Sequence, residues 1–175
     1  MNILLGVSAS IAIYRSCDLV RELTKKGHNV TVAMTKTAAQ WIAPVIFSAL
    51  SNNEVFFDQD ETVSGMPHIK IRENKDVFLI APATAHLIAC AANGLAGDII
   101  SQTLLSFPGP RVIAPAMNPH MFSHPATQKN IAILQEYGYI IFSPEKGEVV
   151  CGDEGEGKMM AVPEIISRLE KIALK

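Results

Sequence analysis

The feature that most constrains this 175-residue chain is an alternation of short, almost wholly apolar runs of strand length with stretches of helical spacing. The runs fall at residues 3–7, 30–34, 77–81, 112–114 and 139–142. A strand that is apolar at every residue, not at every second one, must be covered on both faces, and a parallel sheet with crossover helices provides that cover. The first intervening stretch places Ile13, Cys17 and Val20 on one helical face, points Arg15, Glu22 and Lys25 elsewhere, and stops at Gly27. Further helices fit 37–50, 84–93, 124–137 with Gly138 as terminator, and 162–173, where Ile165, Leu169 and Ile172 recur at helical spacing. The pattern predicts one doubly wound α/β domain over residues 1–175, Rossmann or flavodoxin-like, with a mainly parallel sheet and helices on both faces. Such domains bind ligands beyond the carboxyl ends of the strands, so the site is expected in the loops after Val7, Met34, Ala81 and Ala114.

Composition removes several function classes. With charged residues at 18% and a formal net charge of -2, bulk electrostatics recruits neither nucleic acid nor an anionic membrane. The start of the chain runs straight into a strand without the basic region and cleavage signal of an export peptide, so a cytoplasmic protein is expected. Cys17, Cys90 and Cys151 are odd in number and lack metal-ligand spacing, which predicts reduced thiols and no bound metal. Two stretches carry no formal charge, 37–53 and 77–97. The second is long enough to raise the question of a membrane span, but Pro82, Asn93 and Gly94 interrupt it. Both read as core or as surface buried against another copy of the chain.

The four loops differ in chemistry. The first, Gly6-Val7-Ser8-Ala9-Ser10-Ile11-Ala12, offers backbone N–H groups and two hydroxyls at a helix start, which suits a phosphate. It has neither the three-glycine dinucleotide fingerprint nor a phosphate-loop lysine, so a mononucleotide fits better. Thr35-Lys36-Thr37 and Pro82-Ala83-Thr84-Ala85-His86 line the second and third strand ends with small and hydroxyl residues. Taken singly, these threonines and serines are also ordinary helix caps; their placement on one rim is what favours a flat ring with a hydroxylated tail. In the fourth loop, Ala114-Pro115-Ala116-Met117-Asn118-Pro119-His120-Met121-Phe122, two prolines bracket an amide that can donate to a carboxylate, although a turn asparagine has the same local signature. Two further segments stand out. His68 lies in Gly65-Met66-Pro67-His68-Ile69, expected to be a loop before a strand, and Cys151 heads the glycine-rich run Gly152-Asp153-Glu154-Gly155-Glu156-Gly157-Lys158-Met159. Composition makes that run a plain connection or a mobile substrate flap near 144–160.

Taken together, His68, Pro115-Ala116-Met117-Asn118 and Cys151 through Met159 resemble the ordered motifs of the homo-oligomeric flavin-containing cysteine decarboxylases. That family includes the phosphopantothenoylcysteine decarboxylases and the enzymes that decarboxylate C-terminal cysteines of peptide antibiotics. The resemblance spans essentially the whole chain. It implies FMN as cofactor, in contact with Ser8, Ala9, Ser10 and Ile11, with Thr35, Lys36 and Thr37, with Thr84, Ala85, His86 and Leu87, and with Ala116. One departure is plain: the family usually has asparagine-threonine where this chain has His86-Leu87. The resemblance also implies a trimer, or an assembly of trimers, with its site between subunits.

The chemistry assigns further roles on the same footing. A cysteine carboxylate beside an amide nitrogen has no acceptor for the electrons left by departing carbon dioxide. Oxidation of the thiol to a thioaldehyde places the carboxylate β to a C=S group, and its loss then gives an ene-thiolate. The resemblance implies His68 as acceptor of the thiol proton, Asn118 as the group that orients the carboxylate, Met117 and Gly152 as further substrate contacts, and Cys151 as proton donor when the ene-thiol is reduced again. It favours phosphopantothenoylcysteine as substrate, because a peptidyl-cysteine decarboxylase stops at the ene-thiol and has no use for Cys151. Arg72, Lys146 and Lys158 are cations near these motifs, and the sequence assigns none of them to the substrate phosphate. A separate synthetase is expected in the pathway. The alternatives are the peptidyl-cysteine enzyme, a flavin prenyltransferase, whose basic residues after the fourth strand are not seen here, and a non-catalytic flavin-binding regulatory subunit.

Overall fold

The computed structural model describes residues 1–58, 67–148 and 152–172. Among them, β1 (Asn2–Val7), β2 (Asn29–Met34), β3 (Val55–Phe57), β4 (Val77–Ala83), β5 (Arg111–Pro115) and β6 (Ile140–Ile141) form one sheet in the order β3-β2-β1-β4-β5-β6, parallel throughout. The chain builds outward from β1 to β3, then returns to the other side of β1 to add β4. The switch in direction leaves a crevice between the carboxyl ends of β1 and β4, where open parallel sheets take their ligands.

Alternate residues of the strands feed two cores, as the continuous apolar runs require. Ile3, Leu5, Val7, Leu79 and Ala81 pack on one face with helices α1 (Ile13–Lys25), α3 (Pro44–Ser51) and α9 (Val162–Ile172). Leu4, Phe78 and Ile80 pack on the other with α5 (Ala85–Ala92), α6 (Ile99–Ser106) and α8 (Pro125–Glu136). Gly6 sits among the second set, where a Cβ would lie 2.6 Å from Ile80 Cδ1. No described helix is long and apolar enough to cross a membrane.

Several sequence expectations need correction. The buried face of α1 is Ile13, Ser16, Leu19, Val20 and Leu23, with Cys17 only half-buried. A serine enters that face because its hydroxyl donates to the Ala81 carbonyl at 2.9 Å. The helix expected over 37–50 is two, α2 (Lys36–Trp41) and α3, because Pro44 has no N–H to donate and holds Ala43 in an extended conformation at ψ 129°. Strand β3, the short helices α4 (Pro67–Lys70) and α7 (Pro119–Ser123), and α6 were not expected. His68 belongs to α4 and not to a loop. The glycine-rich run is a strand, β8 (Glu154–Lys158), paired antiparallel with β7 (Glu145–Glu148).

Helix α6 carries two carboxylates at its start. Asp98 is its N-cap, accepting from the N–H groups of Ile100 and Ser101 at 2.9 Å each, while Ser101 Oγ accepts in return from the Asp98 N–H at 3.1 Å. Asp58, just past β3, accepts from the Ile99 N–H at 3.1 Å. Burial pushes the Asp58 carboxyl above the usual range, the Asp98 charge adds to this, and the Ile99 bond opposes it. A carboxyl whose folded pKa exceeds its unfolded value binds its proton more tightly in the folded state. Its contribution is therefore favourable at low pH and is lost as pH rises from about 3.9 through the folded value. Asp98→Ala should lower the free energy of unfolding by about 1 kcal/mol in urea titrations at pH 7. Asp58→Asn, whose amide oxygen still accepts from Ile99, should raise it at pH 7, and variant and parent should converge at pH 3.

Candidate functional site

The crevice at the switch point is organised by Ser8. Its hydroxyl donates to the Pro82 carbonyl at 2.8 Å and accepts from the Thr84 N–H at 3.0 Å, and its own N–H also reaches Pro82 O at 3.3 Å. At 2% exposure this side chain is a brace between the first and third loops, with both hydroxyl functions turned inward. The neighbouring loops are tied in the same way, by the Thr35 N–H to Val7 O and by the Ala116 N–H to Ala83 O, each at 3.0 Å.

Beyond Ser8 the chain turns tightly into α1. The Ser10 N–H donates to Ser8 O at 3.0 Å, and Ser10 Oγ accepts from the Ala12 N–H at 3.3 Å. The N–H groups of Ala9 and Ile11 donate to no group among the described residues. They stand at the positive end of α1, a 13-residue helix with no side-chain cap of its own. Two unspent donors on that dipole fit an anionic oxygen group.

A cavity of about 620 Å³ opens from this turn. Ala9, Ser10, Ile11 and Ala12 form one wall, Thr84 and Ala85 a second, Ala116, Met117 and Asn118 a third, and Gly157, Lys158 and Met159 of β8 a fourth. Tyr14, Arg15, Trp41 and Met121 complete the lip. The mostly apolar lining, with few converging polar groups, suits a flat aromatic ligand with a polar tail.

Not every expected contact reaches this cavity within one chain. Thr35, Lys36 and Thr37 lie one strand away, where Thr35 Oγ1 accepts from the Ala38 N–H at 3.2 Å and caps α2. His86 is exposed on α5 with Nε2 3.5 Å from Cys90 Sγ, and Leu87 turns into the core while its N–H caps onto Thr84 Oγ1 at 3.3 Å. Burial, reinforced by the Asp98 charge, holds the Cys90 thiol above its ordinary pKa and thus protonated. His68 is half-buried on α4, away from the cavity lining, and the following turn anchors Ile71 in the core and the Arg72 guanidinium on the Ser106 carbonyl. Cys151 lies outside the described residues. Gly152 is exposed at the head of β8.

The fourth loop is held from two sides. Asn118 is the N-cap of α7, its Oδ1 accepting from the His120 N–H at 2.8 Å, and its Nδ2 donates to the Asp153 carboxylate. The Met117 N–H donates to Gly157 O at 2.9 Å, and Arg15 Nη1 donates to Met159 O at the same distance, so the end of β8 is tied to both the loop and α1. The alternate glycines of β8 make this docking possible: a Cβ on Gly157 would overlap Met117 O, and one on Gly155 would lie 2.7 Å from Pro119 Cβ. Side chains at those two positions would push the hairpin off the asparagine loop. Tyr14 and Trp41 were not among the expected contacts. Both project from the polar or irregular side of their helices, and the signal that marks them is their large aromatic rings left 55% and 52% exposed.

Comparisons with known proteins bear on the whole chain. A family model described as Flavoprotein matches residues 1–174. The probable phosphopantothenoylcysteine decarboxylase of Streptococcus mutans is 39% identical over 174 residues, covering 97% of each chain. The coenzyme A biosynthesis bifunctional protein CoaBC of Bacillus subtilis is 41% identical over 172 residues, 97% of this chain and 42% of its own length. This chain therefore spans less than half of that bifunctional relative. The crystal structure of the FMN-dependent cysteine decarboxylase SpaF superposes with a TM-score of 0.84 at 29% identity, covering 99% of this chain and 95% of that one.

The glycine contacts carry a test. Gly157→Ala should destabilise the fold by roughly 1–3 kcal/mol, as overpacking against fixed backbone does, and should increase proteolytic cleavage around β8. Gly147→Ala, whose added Cβ would come no closer than 3.8 Å to the Lys158 side chain on the opposite strand, should change neither.

Proposed function

The chain belongs to the Flavoprotein family, and from that membership we propose that it is an FMN-dependent decarboxylase that converts phosphopantothenoylcysteine to 4′-phosphopantetheine and carbon dioxide, acting in the cytoplasm. The observation that carries the reading is the coincidence of an anion-ready turn at Ala9 and Ile11 with an apolar cavity whose far wall presents Asn118. The near full-length likeness to the Streptococcus mutans relative supports the same substrate. The chemistry that FMN supplies when bound is a reversible two-electron acceptor beside the cysteine carbon, and the net reaction consumes no oxidant.

The residues of this chain then have distinct work. The Ala9 and Ile11 N–H groups and the Ser10 hydroxyl hold the cofactor phosphate, while Ala85, Ala116, Met117 and Met159 wall the ring and keep water from it. Asn118 Nδ2 donates to the carboxylate of the substrate and orients the bond that breaks. Cys151 returns a proton to carbon in the final reduction, and His68 receives the thiol proton at the start. The lip of the cavity leaves Ile11, Tyr14, Trp41 and Met121 at least half exposed, and Val45 of α3 is 69% exposed. This apolar surface supports self-association, and a neighbouring copy would bring His68 to the site that its own chain keeps it from. Trimers or assemblies of trimers meet that need.

Mass analysis of the product tests the reading. Purified protein with bound flavin should convert phosphopantothenoylcysteine to a product that has lost carbon dioxide alone. A product lacking two further hydrogens would replace this reading with the ene-thiol-forming reaction, and absence of turnover despite bound flavin would replace it with a regulatory subunit. Cys151→Ser should shift the product to the oxidised ene-thiol while leaving carbon dioxide release in place.

A further inference from the structure

The asparagine of the fourth loop is held by more than its own turn. As N-cap of α7 its Oδ1 accepts from the His120 N–H at 2.8 Å, at an exposed site where water is a ready competitor. A second bond comes from 35 residues further along the chain, where Asp153 at the head of β8 accepts from Nδ2. We propose that Asp153 is a positioning residue for Asn118: its carboxylate locks the amide with oxygen toward α7 and nitrogen toward the cavity, so that the substrate carboxylate meets a donor. The inference rests on the reading of Asn118 given under the proposed function and adds a residue to it.

Three features support the lock. The acceptor on one side and the donor on the other use the two ends of the amide differently, so a flipped amide would set its oxygen against the Asp153 carboxylate and its nitrogen against the His120 N–H. Asp153 itself is fixed in place, because β8 is seated on the loop through the Met117 N–H to Gly157 O bond and through the glycine faces at 155 and 157. Finally, the negative charge of Asp153 opposes an incoming carboxylate, but both partners are part-exposed and water screens that repulsion, whereas the orienting bond acts at contact distance. The orienting effect should therefore win.

The test compares flavin-loaded Asp153→Ala and Asp153→Asn with the parent. Loss of the acceptor in Asp153→Ala should raise KM for phosphopantothenoylcysteine about 10-fold, the loss of roughly one net hydrogen bond, with kcat within about 2-fold. Asp153→Asn, whose amide oxygen still accepts, should recover KM to within about 3-fold of the parent. Affinity for 4′-phosphopantetheine, which lacks the carboxylate, should be the same in Asp153→Ala as in the parent, a result that a general loosening of the hairpin would not give. On an Asn118→Ala background, Asp153→Ala should have no further effect. If Asp153→Ala does not fold, Asp153→Glu, which displaces the carboxylate by one methylene, takes its place with the same expectation. An unchanged or lowered KM, or an equal loss of affinity for both ligands, overturns the inference. A parent without any turnover overturns the proposed function instead, before either variant is compared.

Discussion

The hydroxyl of Ser8 satisfies both of its hydrogen-bonding functions within the protein, donating to Pro82 O and accepting from the Thr84 N–H. Those two bonds join the carboxyl ends of β1 and β4, the pair of strands between which the sheet reverses its direction of growth. Because the brace is buried and complete, the next few residues are free to spend their backbone donors outward. The Ala9 and Ile11 N–H groups lie at the start of a well-anchored helix with no acceptor among the described residues, and a cavity of ligand size begins there. Buried polar groups that are fully paired specify a unique arrangement, and here that arrangement is the crevice itself.

The opposite wall depends on a different constraint, the absence of side chains. A strand normally keeps another backbone at a distance set by its Cβ atoms. At Gly155 and Gly157 that spacing vanishes, and the loop carrying Met117, Asn118 and Pro119 comes into direct contact with β8. The docked hairpin closes the cavity on one side and delivers Asp153 to Asn118. A glycine-rich stretch thus becomes a wall of the cavity, with the glycines serving close approach rather than looseness.

The sequence made the sheet legible because burial on both faces leaves β1, β2, β4 and β5 almost wholly apolar inside, the exception being Thr31 of β2, whose hydroxyl accepts from Lys75 Nζ at 2.7 Å. It made α5, α8 and α9 legible through their periodicity and stops. It hid α6, because the capping box that marks its start pairs Asp98 with Ser101 in place of the usual Glu or Gln, and Asp58 reaches the same turn from 41 residues away. It hid the hairpin, because Glu-Gly-Glu-Gly carries no strand propensity and pairs for reasons that lie 35 residues away in the asparagine loop. The loops that carry the motifs follow β1, β2, β4 and β5 on one rim of the sheet, yet Ser8 turned out to be a brace, Leu87 a core residue and His68 a half-buried residue of α4. These roles depend on tertiary neighbours that spacing along a chain does not encode.

On the proposed function, the turn after β1 receives a phosphate through the Ala9 and Ile11 N–H groups. The most direct measurement is a titration of flavin-free protein with FMN and, separately, with riboflavin, followed by the fluorescence of Trp41, the one tryptophan of the chain, which lies on the cavity lip. Two backbone donors to an anion contribute roughly 3 kcal/mol or more, so FMN should quench Trp41 at concentrations at least about 10²-fold lower than riboflavin does. Equal affinity for the two flavins would contradict the account, since it would mean that the turn does not hold the phosphate.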